Sequence, residues 1–146
     1  MTTEAKMPKF NHVAMTMPAD ALDETGRKAI LNFYGEVFGW QELPTETKDR
    51  QQLVMMAYEL GQFVFLVADE SPLSGTFADH FGMAVDTVEE LHAMHARAKA
   101  YAERDDRVRV EELMVDDFGM LDLTAFYVNY LLPLTVEVQH FNWKQQ

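Results

Sequence analysis

Residues 10–18 read FNHVAMTMP and residues 78–86 read ADHFGMAVD. In each run a His is followed by a small residue two places on and a Met three places on. The first run has the length and apolar character of a buried strand, and Pro18 stops it. Whether the second is the same unit repeated decides the fold, and the flanking segments carry the answer.

After the first run, ADALDETGRKAILNFYGEVFGW places Ala29, Ile30, Phe33, Tyr34, Val37 and Phe38 at helical spacing, with Gly39 as the stop. The short runs WQELP, QQLVMMAYEL and QFVFLVAD then read as three strands in meander order, with a hairpin near Gly61. ESPLSGTFAD, near the midpoint, carries the strongest linker signal. Beyond it the order recurs. A strand opens at His80, and a helix follows with Val88, Leu91, Met94 or His95, Ala98 and Tyr101 on one stripe. RVRVEELMVD, LDLTAFYVN and LTVEVQHF then read as strands.

Each half therefore reads strand, helix, strand, strand, strand, an internal duplication by pattern. The expected organisation is one domain spanning residues 1–146: module one at about 9–69, a linker at about 70–78 and module two at about 79–142. Setting His12 on His80 also sets Ala14 on Gly82, Met15 on Met83 and Phe33 on Tyr101. Aligning Gly61 with Pro133 in the last strands puts Phe65 opposite Glu137.

The composition excludes more than it selects. With no Cys, thiol catalysis and zinc-ribbon sites are out. A formal net charge of −12 repels a phosphate backbone, so nucleic acid is not an expected partner. No signal-peptide pattern and no run of about 18 apolar residues occurs, so no membrane association is expected and the expected location is cytoplasmic.

Alternation along strands nominates a site. His12 shares a face with Phe10 and Ala14, and His80 with Gly82 and Ala84, so small neighbours leave room beside each imidazole. Glu137 shares a face with Thr135 and Gln139, while Val136 and Val138 point the other way. A buried carboxylate must be satisfied, and two imidazoles with one carboxylate around a divalent cation do so while leaving coordination positions open. The bland alternatives are two satisfied core histidines and a solvated Glu. Phe65 cannot ligate, so the duplication points to three ligands and one vacant corner. Gln139 is a candidate partner for a ligand. His92 and His95 read as a surface or packing feature, and His140 lies on the face opposite Glu137.

In this order and spacing, NHVAMTMP, FYGEVFGW, DHFGMAV and FYVNYLLPLTVEVQ resemble the vicinal oxygen chelate superfamily of glyoxalases, bleomycin-resistance proteins and extradiol dioxygenases, from about Phe10 to Phe141. The resemblance implies an α+β fold of two tandem βαβββ modules forming an open, cup-shaped mixed sheet with helices outside. It places metal ligands on His12, His80 and Glu137, with the remaining family position near Phe65, and it implies a homodimer. Where many members carry an Asp-Pro-Asp-Gly turn, Tyr130, Leu131, Leu132 and Pro133 stand here.

Glyoxalase I and methylmalonyl-CoA epimerase use a fourth ligand where Phe65 sits. The extradiol dioxygenases are more similar, holding Fe(II) with two His and one Glu and tending to place a Tyr ten residues before the Glu, which is Tyr127 here. They also use additional histidines that this chain lacks. Fosfomycin-resistance transferases share the triad but bind a phosphonate with clustered cations, and they rank below. The expected function is a metal-dependent enzyme acting on a small-molecule substrate with adjacent oxygens, dioxygenase-like favoured, with Tyr127 as acid or base. The metal could be Fe, Mn, Ni, Co or Zn. The alternative is a metal-free sequestration protein of the bleomycin-resistance type.

Overall fold

The computed structural model describes residues 3–145. Module one runs β1 (His12–Met17), α1 (Glu24–Phe38), β2 (Gln41–Glu42), β3 (Gln52–Met56) and β4 (Phe63–Ala68). Module two runs β5 (His80–Ala84), α2 (Val88–Arg104), β6 (Arg109–Val110), β7 (Met114–Asp117), β8 (Leu121–Asn129) and β9 (Thr135–Trp143). The helices start and stop on local chemistry. Asp23 accepts the Gly26 N–H at 2.7 Å and Thr87 accepts the Glu90 N–H at 3.1 Å, each satisfying a donor that a first turn leaves free. Gly39 ends α1 in the left-handed region at φ 75°, where a Cβ would be strained.

The strands form two mixed sheets, ordered β1-β4-β3-β2 and β5-β9-β8-β6, with β7 also on β8. In both, the first strand pairs parallel to the last. The registers establish the repeat: Ala14 lies opposite Phe65 in the first sheet and Gly82 opposite Glu137 in the second. Phe65 and Glu137 therefore hold the same place in their modules, as the alignment of the two halves requires.

One face of each sheet is closed by helix. Met15, Met17, Val64, Leu66, Val136 and Val138 lie on it and are buried, together with Leu22, Ile30 and Leu91. The modules join through an aromatic cluster. Phe33 of α1 meets Tyr34 at 4.8 Å, Tyr101 of α2 at 5.1 Å and Tyr130 of the β8–β9 turn at 4.7 Å between ring centroids. The Tyr34 hydroxyl donates to the Tyr130 carbonyl at 2.9 Å. The turn that departs from the family pattern is thus packed into the core. Asn129 holds it, its amide donating to the carbonyls of Leu132 at 3.0 Å and Leu134 at 3.1 Å.

Three details differ from the sequence reading. The first strand begins at His12, and Phe10 stands almost wholly exposed before it, so it does not share the His12 face. RVRVEELMVD is broken into β6 and β7. His95, buried on α2, lies 2.9 Å through Nε2 from the Glu111 carbonyl, which can only accept, and this draws that oxygen out of the ladder. His95 is therefore a packing residue, while His92 faces solvent. Finally, the open architecture is built from two mixed sheets that are not hydrogen-bonded to each other rather than from one continuous sheet.

The Tyr130 hydroxyl lies 2.6 Å from an Asp105 oxygen and accepts from Arg107 at 2.9 Å. The Arg107 hydrogen bond, then that of Tyr130, holds the Asp105 carboxyl well below the usual carboxylate range. A depressed carboxyl contributes stability above its unfolded value that is lost as pH falls through the folded one. Tyr130→Phe should cost about 1–2 kcal/mol in urea unfolding at neutral pH. It should also make the acid-side loss of stability smaller and complete at higher pH, since without the Tyr130 donor the folded Asp105 carboxyl moves up toward its unfolded value.

Candidate metal centre

The face of each sheet away from the helices carries the candidate residues. In module two, Glu137 sits mid-strand between fully buried Val136 and Val138 and is itself only 7% exposed. Its neighbour across β8 is Tyr127 and across β5 is Gly82. His80 Nε2 lies 3.4 Å from Glu137 Oε1, and the His80 ring stands edge-on to Tyr127 at 5.2 Å. Burial first, then the neighbouring Glu137 carboxylate, raises the pKa of Tyr127, so the phenol keeps its proton through the neutral range. A Cβ on Gly82 would meet Gln139 Oε1 at 3.3 Å and Glu137 Oε1 at 3.9 Å, so the bare glycine makes room for both side chains.

In module one, His12 lies over Phe63 with the rings stacked at 4.7 Å and 6°. It borders a hollow of about 440 Å³ with Leu43, Glu46, Gln52, Val54, Phe63 and Phe65. The stacking partner Phe63 was missed in the sequence, although it lies two residues before Phe65 on the same strand face.

The two histidines share a tautomer. His12 Nδ1 is held by Asn11 Oδ1 at 2.6 Å and His80 Nδ1 by the Ala78 carbonyl at 2.8 Å. Both partners accept, so both Nδ1 atoms carry the proton and both Nε2 atoms present a lone pair, as metal-binding histidines do. At His80 that lone pair faces a carboxylate oxygen, and two electron-rich atoms so placed call for a proton or a cation between them. The donor set therefore fits a divalent ion at His80 and Glu137.

One chain assembles two of the three nominated ligands. His80 and Glu137 meet, whereas His12 belongs to the other sheet and its hollow is lined by module-one residues alone. Among the described residues no three His, Cys, Asp or Glu side chains group as a metal site. Tyr127 joins the His80–Glu137 pair, Gln139 lies beside it, and Phe65 lies in the hollow beside His12. His140 pairs with Thr124 on the opposite face from Glu137.

This architecture is shared with solved glyoxalase/bleomycin resistance and fosfomycin resistance proteins, to which the chain is similar over nearly its whole length. A fosfomycin resistance protein, FosX, from Listeria monocytogenes matches at TM-score 0.61 and 14% identity, covering 92% of this chain and 94% of its own. A glyoxalase/bleomycin resistance protein from Albidiferax ferrireducens matches at 0.61 and 14%, covering 90% and 98%. A glyoxalase/bleomycin resistance protein/dioxygenase from Alicyclobacillus acidocaldarius matches at 0.60 and 12%, covering 91% of each chain. No family model and no curated protein matches the sequence. At these identities the likeness defines the fold, and the reaction has to be argued from the site. Among the described residues no helix is long and apolar enough to cross a membrane.

Proposed function

We propose that this protein is a homodimeric, divalent-metal-dependent enzyme acting on a small substrate with adjacent oxygens, dioxygenase-like in its ligand set. The observation that carries the reading is the His80 Nε2 lone pair facing Glu137 at 3.4 Å, beside a protonated Tyr127. His80 and Glu137 of one copy and the partner subunit's His12 would hold the ion, because His80 and Glu137 meet in one sheet whereas the hollow beside His12 is lined by module-one residues alone. When bound, the metal supplies Lewis-acid stabilisation of the negative charge that develops on chelating substrate oxygens. Phe65 supports a site with three protein ligands, since it contributes no donor where the repeat would place a fourth.

The remaining chemistry falls to the chain's own groups. Tyr127, directly across the strand from Glu137, holds a proton at its hydroxyl and can deliver it to a substrate oxygen as general acid. The Ala78 carbonyl and Asn11 fix the two imidazole orientations. Leu43, Val54, Phe63 and Phe65 give the hollow beside His12 an apolar lining.

Protein purified without chelators and assayed by elemental analysis should contain about one first-row metal per chain, lost in His80→Ala; the absence of binding across Fe, Mn, Ni, Co and Zn sinks the proposal. With iron loaded and a catechol supplied, dioxygen uptake should fall about 10²–10⁴-fold in Tyr127→Phe.

A second reading, a metal-free binding protein, draws on the hollow around His12. It is apolar except for Glu46 and Gln52 and belongs to an acidic chain, which suits a cationic ligand. Metal-independent binding of an aromatic cation, abolished by filling the hollow with Val54→Trp, would favour it.

A further inference from the structure

A cation stands on the same open face as the His80–Glu137 pair. Arg109 of β6 lies directly opposite Asn129 of β8, and cross-strand neighbours point to one face. Asn129 is two residues from Tyr127, so Arg109 and Tyr127 share that face. The Arg109 guanidinium carbon rests 3.6 Å from the ring centroid of Phe77. Phe77 lies 6.5 Å from Tyr127, which abuts His80. His80, Tyr127, Phe77 and Arg109 thus form a continuous file leading from the candidate metal ligands to the cation.

We propose that Arg109 is the specificity residue of this site, binding a carboxylate that the substrate carries away from its chelating oxygens. The inference rests on the metal reading above and adds the substrate's charge. The stack on Phe77 orients the guanidinium plane, a cation–π arrangement that does not use its N–H edge. Of its nitrogens, Nη2 meets Glu111 at 3.0 Å, an exposed pair of the kind that contributes little and yields readily to a ligand.

Other cations of module two are engaged elsewhere. Arg107 is held by Asp105 and Tyr130, Lys144 by Asp117 and Asp122, and Lys99 by Glu112. A single planar guanidinium matches the two oxygens of a carboxylate with two parallel N–H bonds. On a chain of net charge −12, this side chain gives an acidic substrate a local point of attachment.

The test compares chelators alike except for the carboxylate. Zinc-loaded native protein is titrated calorimetrically with catechol, 3,4-dihydroxybenzoate and 3,4-dihydroxyphenylacetate, the last two differing in reach. At least one acid should bind about tenfold or more tightly than catechol, as a charge-assisted contact warrants. In Arg109→Met, whose thioether chain can still cover Phe77, the ratio should fall to about one with the melting temperature unchanged. Equal affinity for all three in native protein, or an advantage that persists in Arg109→Met, overturns the assignment while leaving the metal reading intact. If none of the three binds the zinc-loaded protein, the metal reading fails and the inference with it.

Discussion

Mixing two variants that each fail to retain metal should restore metal binding. His12→Ala keeps the His80–Glu137 pair, and Glu137→Ala keeps His12. Each alone should lose more affinity than the roughly 10–100-fold that removing an outer partner of a ligand costs. If the third ligand comes from a second copy, co-refolding the two at equal amounts produces heterodimers with one complete site and one doubly broken site. Random pairing then recovers roughly a quarter of the native metal content, as two-fold symmetry dictates. If the site closes within one chain, every site in the mixture lacks a ligand and none is recovered. Elemental analysis of the refolded dimer fraction decides between them. The physical ground is the separation of the sheets: His12 borders a hollow lined by its own module, and His80 and Glu137 meet on the other.

The largest expected effect on stability is at Phe33. Its ring is fully buried and touches Tyr34, Tyr101 and Tyr130, so it carries the packing of α1 on α2 and on the β8–β9 turn. Phe33→Ala removes the buried area and leaves a cavity among rigid rings that cannot close around it. The cost should be about 3–5 kcal/mol, against a total of about 5–15 for a domain of ordinary stability. Thermal unfolding should shift down by about 10 °C or more. Tyr58→Ser, at a residue 79% exposed, should change stability by no more than about 0.5 kcal/mol in the same assay. A comparable loss in both would mean that the interlocked helices do not carry the core.

Much of the fold was legible because its signals are periodic and local. The helical stripe containing Phe33 and Val37 and the two-residue alternation of Val136 and Val138 depend only on neighbours in the chain. Setting His12 on His80 aligned the opening strands and helices, and a gap that set Gly61 on Pro133 was needed to put Phe65 at the position of Glu137, a pairing that the sheet registers bear out through Ala14 and Gly82. The break between β6 and β7 was not legible. It depends on His95 reaching the Glu111 carbonyl from a helix 16 residues earlier, and nothing in RVRVEELMVD marks that contact. The stack of Arg109 on Phe77 was hidden for the same reason, since it joins the linker to an edge strand 32 positions later.

The sequence by itself determined that two like modules exist, which faces of their strands turn to the helices, and that an imidazole opens each module. These follow from side-chain periodicity, which a chain carries whatever its tertiary partners. Only the tertiary structure decided that His80 meets Glu137 and Tyr127 while His12 belongs to a separate sheet. The repeat is symmetric in sequence and does not say whether its halves close on each other or back onto shared helices. The rings of Phe33, Tyr34, Tyr101 and Tyr130 settle that choice here, because burying them together joins the modules through α1 and α2 and leaves the two sheets unpaired.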